Sequence, residues 1–148
     1  MVVEDALKSV TRLFFDTAPV VYYLEETPPY VEVVAAIFNA LDERRFTGVF
    51  SPVTLAECLV FPIRQGDLVL QNAYLKVIAY NKDHSFFETS RTIAREAARF
   101  RAVYNLSLTD AIQIATALEA GCDAFLTNDK GLRRVTELNI LVLEDLTV

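Results

Sequence analysis

The chain has 148 residues, 53% of them hydrophobic, enough for one domain with a substantial core. Its formal charge is −6, from 14 basic and 20 acidic residues, which counts against a general nucleic-acid-binding module whose affinity comes from neutralised phosphates. No apolar run approaches the length of a membrane span, and the N-terminus carries acids where a secretory signal needs a basic start, so a cytoplasmic protein with no membrane contact is expected.

Residues 1–11 form a weakly helical N-terminal extension. Residues 12–16 are the first expected strand, ending in Asp16. Pro19 near a helix start and the apolar Val20, Val21, Tyr23 and Leu24 predict a helix over 17–25. Thr27-Pro28-Pro29 breaks it, and Val31, Val34, Ile37, Phe38 and Leu41 repeat at helical spacing over 30–44. The two helices read as a hairpin. Its apolar and tyrosine-rich character exceeds what two helices over one sheet face need, so part of it is expected to be a partner surface.

Residues 47–51 are the second expected strand. Ser51-Pro52 then pairs an N-cap with proline at the first helical position. The helix is expected to reach about Val60 and to close at Phe61-Pro62. A helix over 67–81, a third strand over 84–88 and a helix over 89–104 follow. Ser107 caps the next helix, 108–120, which Gly121 ends. The apolar run 123–127 is a buried strand, followed by a short helix over 129–137 and a fifth strand over 140–143. Strands alternating with helical segments imply crossovers. The expected architecture is a three-layer α/β/α domain spanning 1–148, with a mainly parallel sheet of about five strands.

Four acids fall on one rim of such a sheet. Asp16 and Asp129 follow strand ends, Asp110 opens a helix, and Glu57 lies one and a half turns into another helix, whose side chains tilt back toward its start. Taken singly, each has an ordinary explanation: Asp110 as a first-turn acid, Asp129 as a turn residue, Asp16 as a cap. Glu57 is harder to dismiss among Leu55, Ala56, Cys58 and Leu59. Together, four converging carboxylates repel and raise one another's pKa. A divalent cation resolves the repulsion, and oxygen-only ligands favour Mg²⁺ or Mn²⁺. Because a helix N-terminus favours the charged form of Asp110, the raised pKa is expected on Asp16 or Asp129.

The other polar residues are plainer. Cys58 and Cys122 are expected to be small buried residues without a disulfide. His84 stands at a strand end, with nothing to make a catalytic triad around it. Arg91, Arg95 and Arg99 share one helical face, which reads as solvated surface, as do most of Arg44, Arg45, Arg133 and Arg134.

The segments LFFDTAPVVYYLE, SPVTLAECL, LSLTDAIQIATALEAGCDAFLTNDKGL and LVLEDL resemble the PIN domain, and within it the VapC-type toxins of prokaryotic toxin–antitoxin pairs. The TDA to LTND stretch is the specific part. The resemblance implies that Asp16, Glu57, Asp110 and Asp129 bind Mg²⁺ or Mn²⁺ and hydrolyse RNA phosphodiesters. Asp16, Asp110 and Asp129 would hold the principal ion, with Glu57 nearby. Thr17, Thr127 and Asn128 would line the pocket as substrate or supporting residues. It also implies a small antitoxin protein as partner and a homodimer. The chain departs from the family at Ala18, where many members carry a polar residue, often Asn. Two competing readings stand beside it. One is a PIN-like interaction module without turnover, which the retention of all four acids opposes. The other is a haloacid-dehalogenase-like phosphatase, which needs a second acid two residues after the first, where this chain has Ala18.

Overall fold

Five short strands make one parallel sheet in a computed structural model that describes residues 1–148. They are β1 (Arg12–Phe15), β2 (Thr47–Phe50), β3 (Ser85–Phe86), β4 (Ala124–Thr127) and β5 (Asn139–Val142), in the order β3-β2-β1-β4-β5. β1 is central, in register with β2 through Phe14 opposite Val49 and with β4 through Phe14 opposite Phe125. Seven helices cover the sheet: α1 (Val3–Leu7), α2 (Thr17–Leu24), α3 (Val31–Asp42), α4 (Pro52–Arg64), α5 (Leu68–Ile78), α6 (Arg91–Tyr104) and α7 (Leu108–Glu119).

The alternation of side chains along a strand decides the layers. Leu13 and Phe15 of β1 join one core with Val20, Ile37, Phe38 and Tyr74, beneath α1 to α5. Phe14, between them, joins the opposite core with Ile93, Phe100 and Ile114, beneath α6 and α7. Both faces are therefore covered, which is why the strands read as continuous apolar runs. Phe15 stacks on Phe50 with ring centroids 4.8 Å apart, and Phe14 on Phe125 at 4.9 Å. Burying each such ring contributes roughly 2–3 kcal/mol. No helix is long and apolar enough to cross a membrane.

The chain leaves β1 toward β2 on one face, then returns from β3 to β4 along the other. Strand order therefore reverses between β1 and β4. Beyond the carboxyl ends of those two strands lies the crevice where open α/β sheets bind ligands.

Several boundaries differ from the sequence reading. α4 does not close at Phe61-Pro62 but runs through Pro62 to Arg64. Proline removes a single donor there. The helix instead stops at Gly66, whose φ of +64° is the left-handed region, and Asp67 caps α5 directly after it. α3 begins at Val31 and ends at Asp42. The helix expected over 129–137 is a 3-10 turn, Lys130–Arg134, with Val135 already extended. Such turns stay short because their hydrogen-bond geometry is poor. β3 pairs over two residues only.

The hairpin α2–α3 is mostly core. Val20, Val33, Val34, Ile37, Phe38 and Leu41 are buried, and Tyr22, Tyr23 and Tyr30 are half-buried. Tyr22 stacks on Tyr30 and Tyr23 on Phe38. The widely exposed apolar side chains lie elsewhere: Phe61, Ile63, Leu68 and Val69 at the α4–α5 corner, the last 82% exposed, and also Tyr80, Val103 and Leu108. The surplus of apolar residues in the hairpin is consumed by the thick core against α4, α5 and the sheet.

The minor groups behave as expected. Cys58 and Cys122 are free and buried, and burial pushes the Cys122 thiol up to about 12. His84 bonds the Val77 carbonyl through Nδ1 at 2.7 Å and stacks on Phe50. Arg44, Arg45, Arg99 and Arg133 are occupied by surface ion pairs with Asp83, Glu4, Glu96 and Asp145. Arg91 and Arg95 are exposed.

The amino end of the sheet is tied by Asp123. Its carboxylate accepts from Thr11 N at 2.9 Å, from Thr11 Oγ1 at 3.0 Å and from Arg12 N at 3.1 Å. Partial burial pushes its pKa up, but these bonds outweigh that and hold it below the ordinary value. The stabilisation is present above the unfolded pKa and is lost as pH falls through the folded one. Asp123→Ala is expected to cost about 1–2 kcal/mol in urea unfolding at pH 7, and progressively less as acid protonates the carboxylate of the folded parent protein.

Candidate active site

Asp16, Asp110, Asp129 and Glu57 lie around the β1–β4 crevice, at strand ends and on helices. Asp16 follows β1 and caps α2, its Oδ1 accepting from Thr17 N at 2.8 Å. Asp110 stands in the first turn of α7, whose cap is Ser107, accepting from Asp110 N at 3.2 Å. Asp129 follows β4 and caps the 3-10 turn, its Oδ1 accepting from Gly131 N at 2.8 Å. Glu57 projects from α4.

Two threonines link them. Thr127, buried at the end of β4, donates through Oγ1 to Asp16 Oδ2 at 2.8 Å and accepts from Asp129 N at 3.1 Å. Thr17 donates through Oγ1 to Glu57 Oε1 at 2.6 Å. The path Glu57–Thr17–Asp16–Thr127–Asp129 therefore crosses the crevice on hydrogen bonds and adjacent backbone. Asn128 donates through Nδ2 to the Tyr22 hydroxyl at 3.3 Å, while its Oδ1 is buried without a partner. Gly131 is confined by the site: a Cβ there would stand 3.0 Å from Asp129 Oδ1 and 3.3 Å from Arg134 Nη1.

The electrostatics match a crowded anionic site. Burial pushes the Asp16 carboxyl up from 3.8 to about 6, against hydrogen bonds from Thr127, Thr17 and Gln113, and the charge of Asp110 adds to the rise. Asp110 is also raised, first by partial burial and then by Asp129 and Glu57, against a hydrogen bond with Ser107 and the charge of Arg134. The raised pKa expected on Asp16 or Asp129 is found on Asp16, and Asp110 is raised as well, because desolvation and two nearby carboxylates outweigh the pull of its helix N-terminus. Arg134 lies close by, donating to the carbonyls of Tyr104, Gly131 and Asn105.

The donor set is all oxygen and strongly acidic, which suits a hard divalent cation. As the side chains stand, no three acidic, histidine or cysteine groups close around a common point. Glu57 is exposed, contrary to the impression its apolar sequence neighbours give; Ala56 beside it is exposed too. Gln113 was not legible as a site residue. It sits three residues after Asp110, inside an apolar helical run, and only its burial reveals a role.

Residues 13–138 match the family model of the PIN domain. No curated protein sequence matches the chain. Among solved structures, VapBC2 from Rickettsia felis bound to a promoter DNA fragment aligns with a TM-score of 0.69 at 13% identity, covering 89% of this chain and 98% of that one. A toxin–antitoxin complex from Klebsiella pneumoniae aligns at 0.67 and 19% identity, covering 88% and 97%. Mycobacterium tuberculosis VapC20, a sarcin-ricin loop cleaving toxin, aligns at 0.65 and 12% identity, covering 76% and 86%. At these identities the structural likeness establishes the fold.

The Asp16 shift sets a pH dependence. The folded protein holds this proton more tightly than the unfolded chain, so without divalent metal, stability is expected to fall as pH rises from 3.8 through about 6, then to level off. The loss is at most about 3 kcal/mol, and Asp110 adds to it in the same direction. Urea melts across that range check it. Asp16→Asn should flatten the slope, and an unaltered slope in that variant would assign it to other groups.

Proposed function

The chain belongs to the PIN domain family, and on that premise we propose that it is a Mg²⁺- or Mn²⁺-dependent endoribonuclease, the toxin of a toxin–antitoxin pair. The observation that carries this reading is the desolvated Asp16 carboxylate at the strand-order reversal, with Asp110 close enough to raise its pKa further. A buried acid held among other acids costs stability unless something positive offsets it, and such costs concentrate at working sites. The description of VapC20 as a sarcin-ricin loop cleaving toxin supports RNA as the substrate, and the complexes from R. felis and K. pneumoniae support a protein partner.

In this reading Asp16, Asp110 and Asp129 hold the ion, with Glu57 at the edge. Bound there, a divalent cation supplies Lewis-acid chemistry: it lowers the pKa of water and offsets phosphate charge. The protein's own residues do the rest. Thr127 and the Thr17 amide keep the Asp16 carboxylate oriented, and their bonds favour its charged form. Thr17 steadies Glu57, which is free on its solvent side to take a proton from an attacking water. Arg91 and Arg95 remain available to an RNA backbone. A homodimer belongs to the same reading, and light scattering at high concentration checks it. Apolar side chains open to protein partners include Phe61, Ile63, Leu68 and Val69.

RNA cleavage with added Mg²⁺ or Mn²⁺ tests the function. The parent protein should cut RNA and lose activity to a chelator. Asp16→Asn should lower the rate on the order of 100-fold or more while folding normally. An Asp16→Asn protein that cuts at the parent rate, or a parent protein that folds and cuts nothing, would overturn the assignment. Metal should also raise the melting temperature more at pH 8 than at pH 5, because it binds the ionised cluster. Equal shifts at the two pH values would mean that the four acids do not act as one site.

A further inference from the structure

Gln113 is 1% exposed and lies on α7 among Ile114, Ala115 and Ala117. A primary amide in such a place loses its water and regains stability only through the bonds it makes. Packing alone would be served by leucine or methionine. The bonds of Gln113 can be counted in full.

Ser51 Oγ accepts from Thr54 N at 3.1 Å as the cap of α4, so its hydrogen is free to donate to Gln113 Oε1, at 2.5 Å. Thr54 Oγ1 donates to the Phe15 carbonyl at 3.2 Å, so it can only accept from Gln113 Nε2, at 2.7 Å. These two hydroxyls leave the amide one orientation. The second Nε2 hydrogen then faces Asp16 Oδ1 at 3.5 Å. One buried amide thus joins the end of β1, the start of α4 and the middle of α7.

The count continues at Asp16. An ionised carboxylate offers about four lone-pair positions, two on each oxygen. Oδ1 receives Thr17 N and Gln113 Nε2, and Oδ2 receives Thr127 Oγ1. One position remains, on Oδ2. Without Gln113, a second would open on Oδ1 and the carboxylate could turn about its Cβ–Cγ bond.

We propose that Gln113 is the positioning residue of the acid cluster: locked by Ser51 and Thr54, its amide occupies Asp16 Oδ1 and leaves Oδ2 as the single open oxygen position toward an incoming divalent cation. Gln113 touches neither substrate nor ion; it acts through Asp16. The inference rests on the metal-nuclease reading and adds to it which atom of Asp16 is presented and what holds it there.

The test is a Mn²⁺ titration of the full metal-free chain, following free Mn²⁺ by electron paramagnetic resonance, so that affinity and stoichiometry are read separately. Two variants are used. Gln113→Met keeps the volume and removes the amide. Gln113→Glu keeps an acceptor for the Ser51 hydroxyl and replaces the donor that faces Asp16, and it decides the matter if Gln113→Met fails to fold. Both are expected to weaken Mn²⁺ binding roughly 10–100-fold with unchanged stoichiometry, the usual effect of removing a group that orients a metal ligand. A merely structural role would lower the number of sites per chain and leave the affinity of the rest intact. That result, or parent-like affinity in folded variants, overturns the proposal. A parent protein that binds no Mn²⁺ overturns the nuclease reading and this inference together; parent binding with unaltered variants overturns this inference alone.

Discussion

A carboxylate at the end of the central strand is the constraint around which the rest of the molecule is arranged. Asp16 must follow Phe15, whose ring is fully buried against Phe50, so its backbone position is fixed by the core. Its charge is therefore held beside low-dielectric surroundings. The protein answers with directed dipoles: a helix N-terminal amide from Thr17, a hydroxyl from Thr127 and the amide of Gln113. These bonds lower the cost of the charge without cancelling it, and the carboxyl remains raised to about 6.

The donors come from parts of the chain remote in sequence. Thr127 is 111 residues from Asp16, and Gln113 is 97. Each arrives because a parallel sheet with both faces covered brings strand ends and helix starts to the same edge. The polar pieces on that edge satisfy one another: Ser51 and Thr54 orient Gln113, and Thr127 accepts from Asp129 N while donating to Asp16. A network satisfied in this way is rigid. The same residues therefore stabilise the junction of β1, α4 and α7 and set the geometry of the acids.

Arg134 shows how a positive group can take part without neutralising the site. Its guanidinium is engaged by three backbone carbonyls, two of them at the carboxyl end of α6 and one in the 3-10 turn. It joins the segment that leads to Asp110 to the turn that follows Asp129. Its charge lowers the pKa of Asp110 only against larger opposing effects. The crevice keeps its net acidic character.

Much of this was legible in the residues alone. Apolar runs bounded by polar residues located the strands, helical spacing located most helices, and the cap signatures at Ser51 and Ser107 are local chemistry that needs no tertiary context. The placement of Asp16, Asp110 and Asp129 on one rim also follows from local position, because strand ends and helix starts alternate along such a chain. Other features depend on what meets in space. Pro62 lies inside α4 because the helix finds its stop at Gly66 and its continuation in α5. The tyrosine-rich hairpin turns inward because the thick side of the sheet consumes its apolar residues. Gln113 is invisible in sequence, since a glutamine in an apolar helical run looks like a solvated position until Ser51, Thr54 and Asp16 are seen around it. Propensity and periodicity act through neighbours in the chain, whereas burial and hydrogen-bond satisfaction are set by neighbours in the fold.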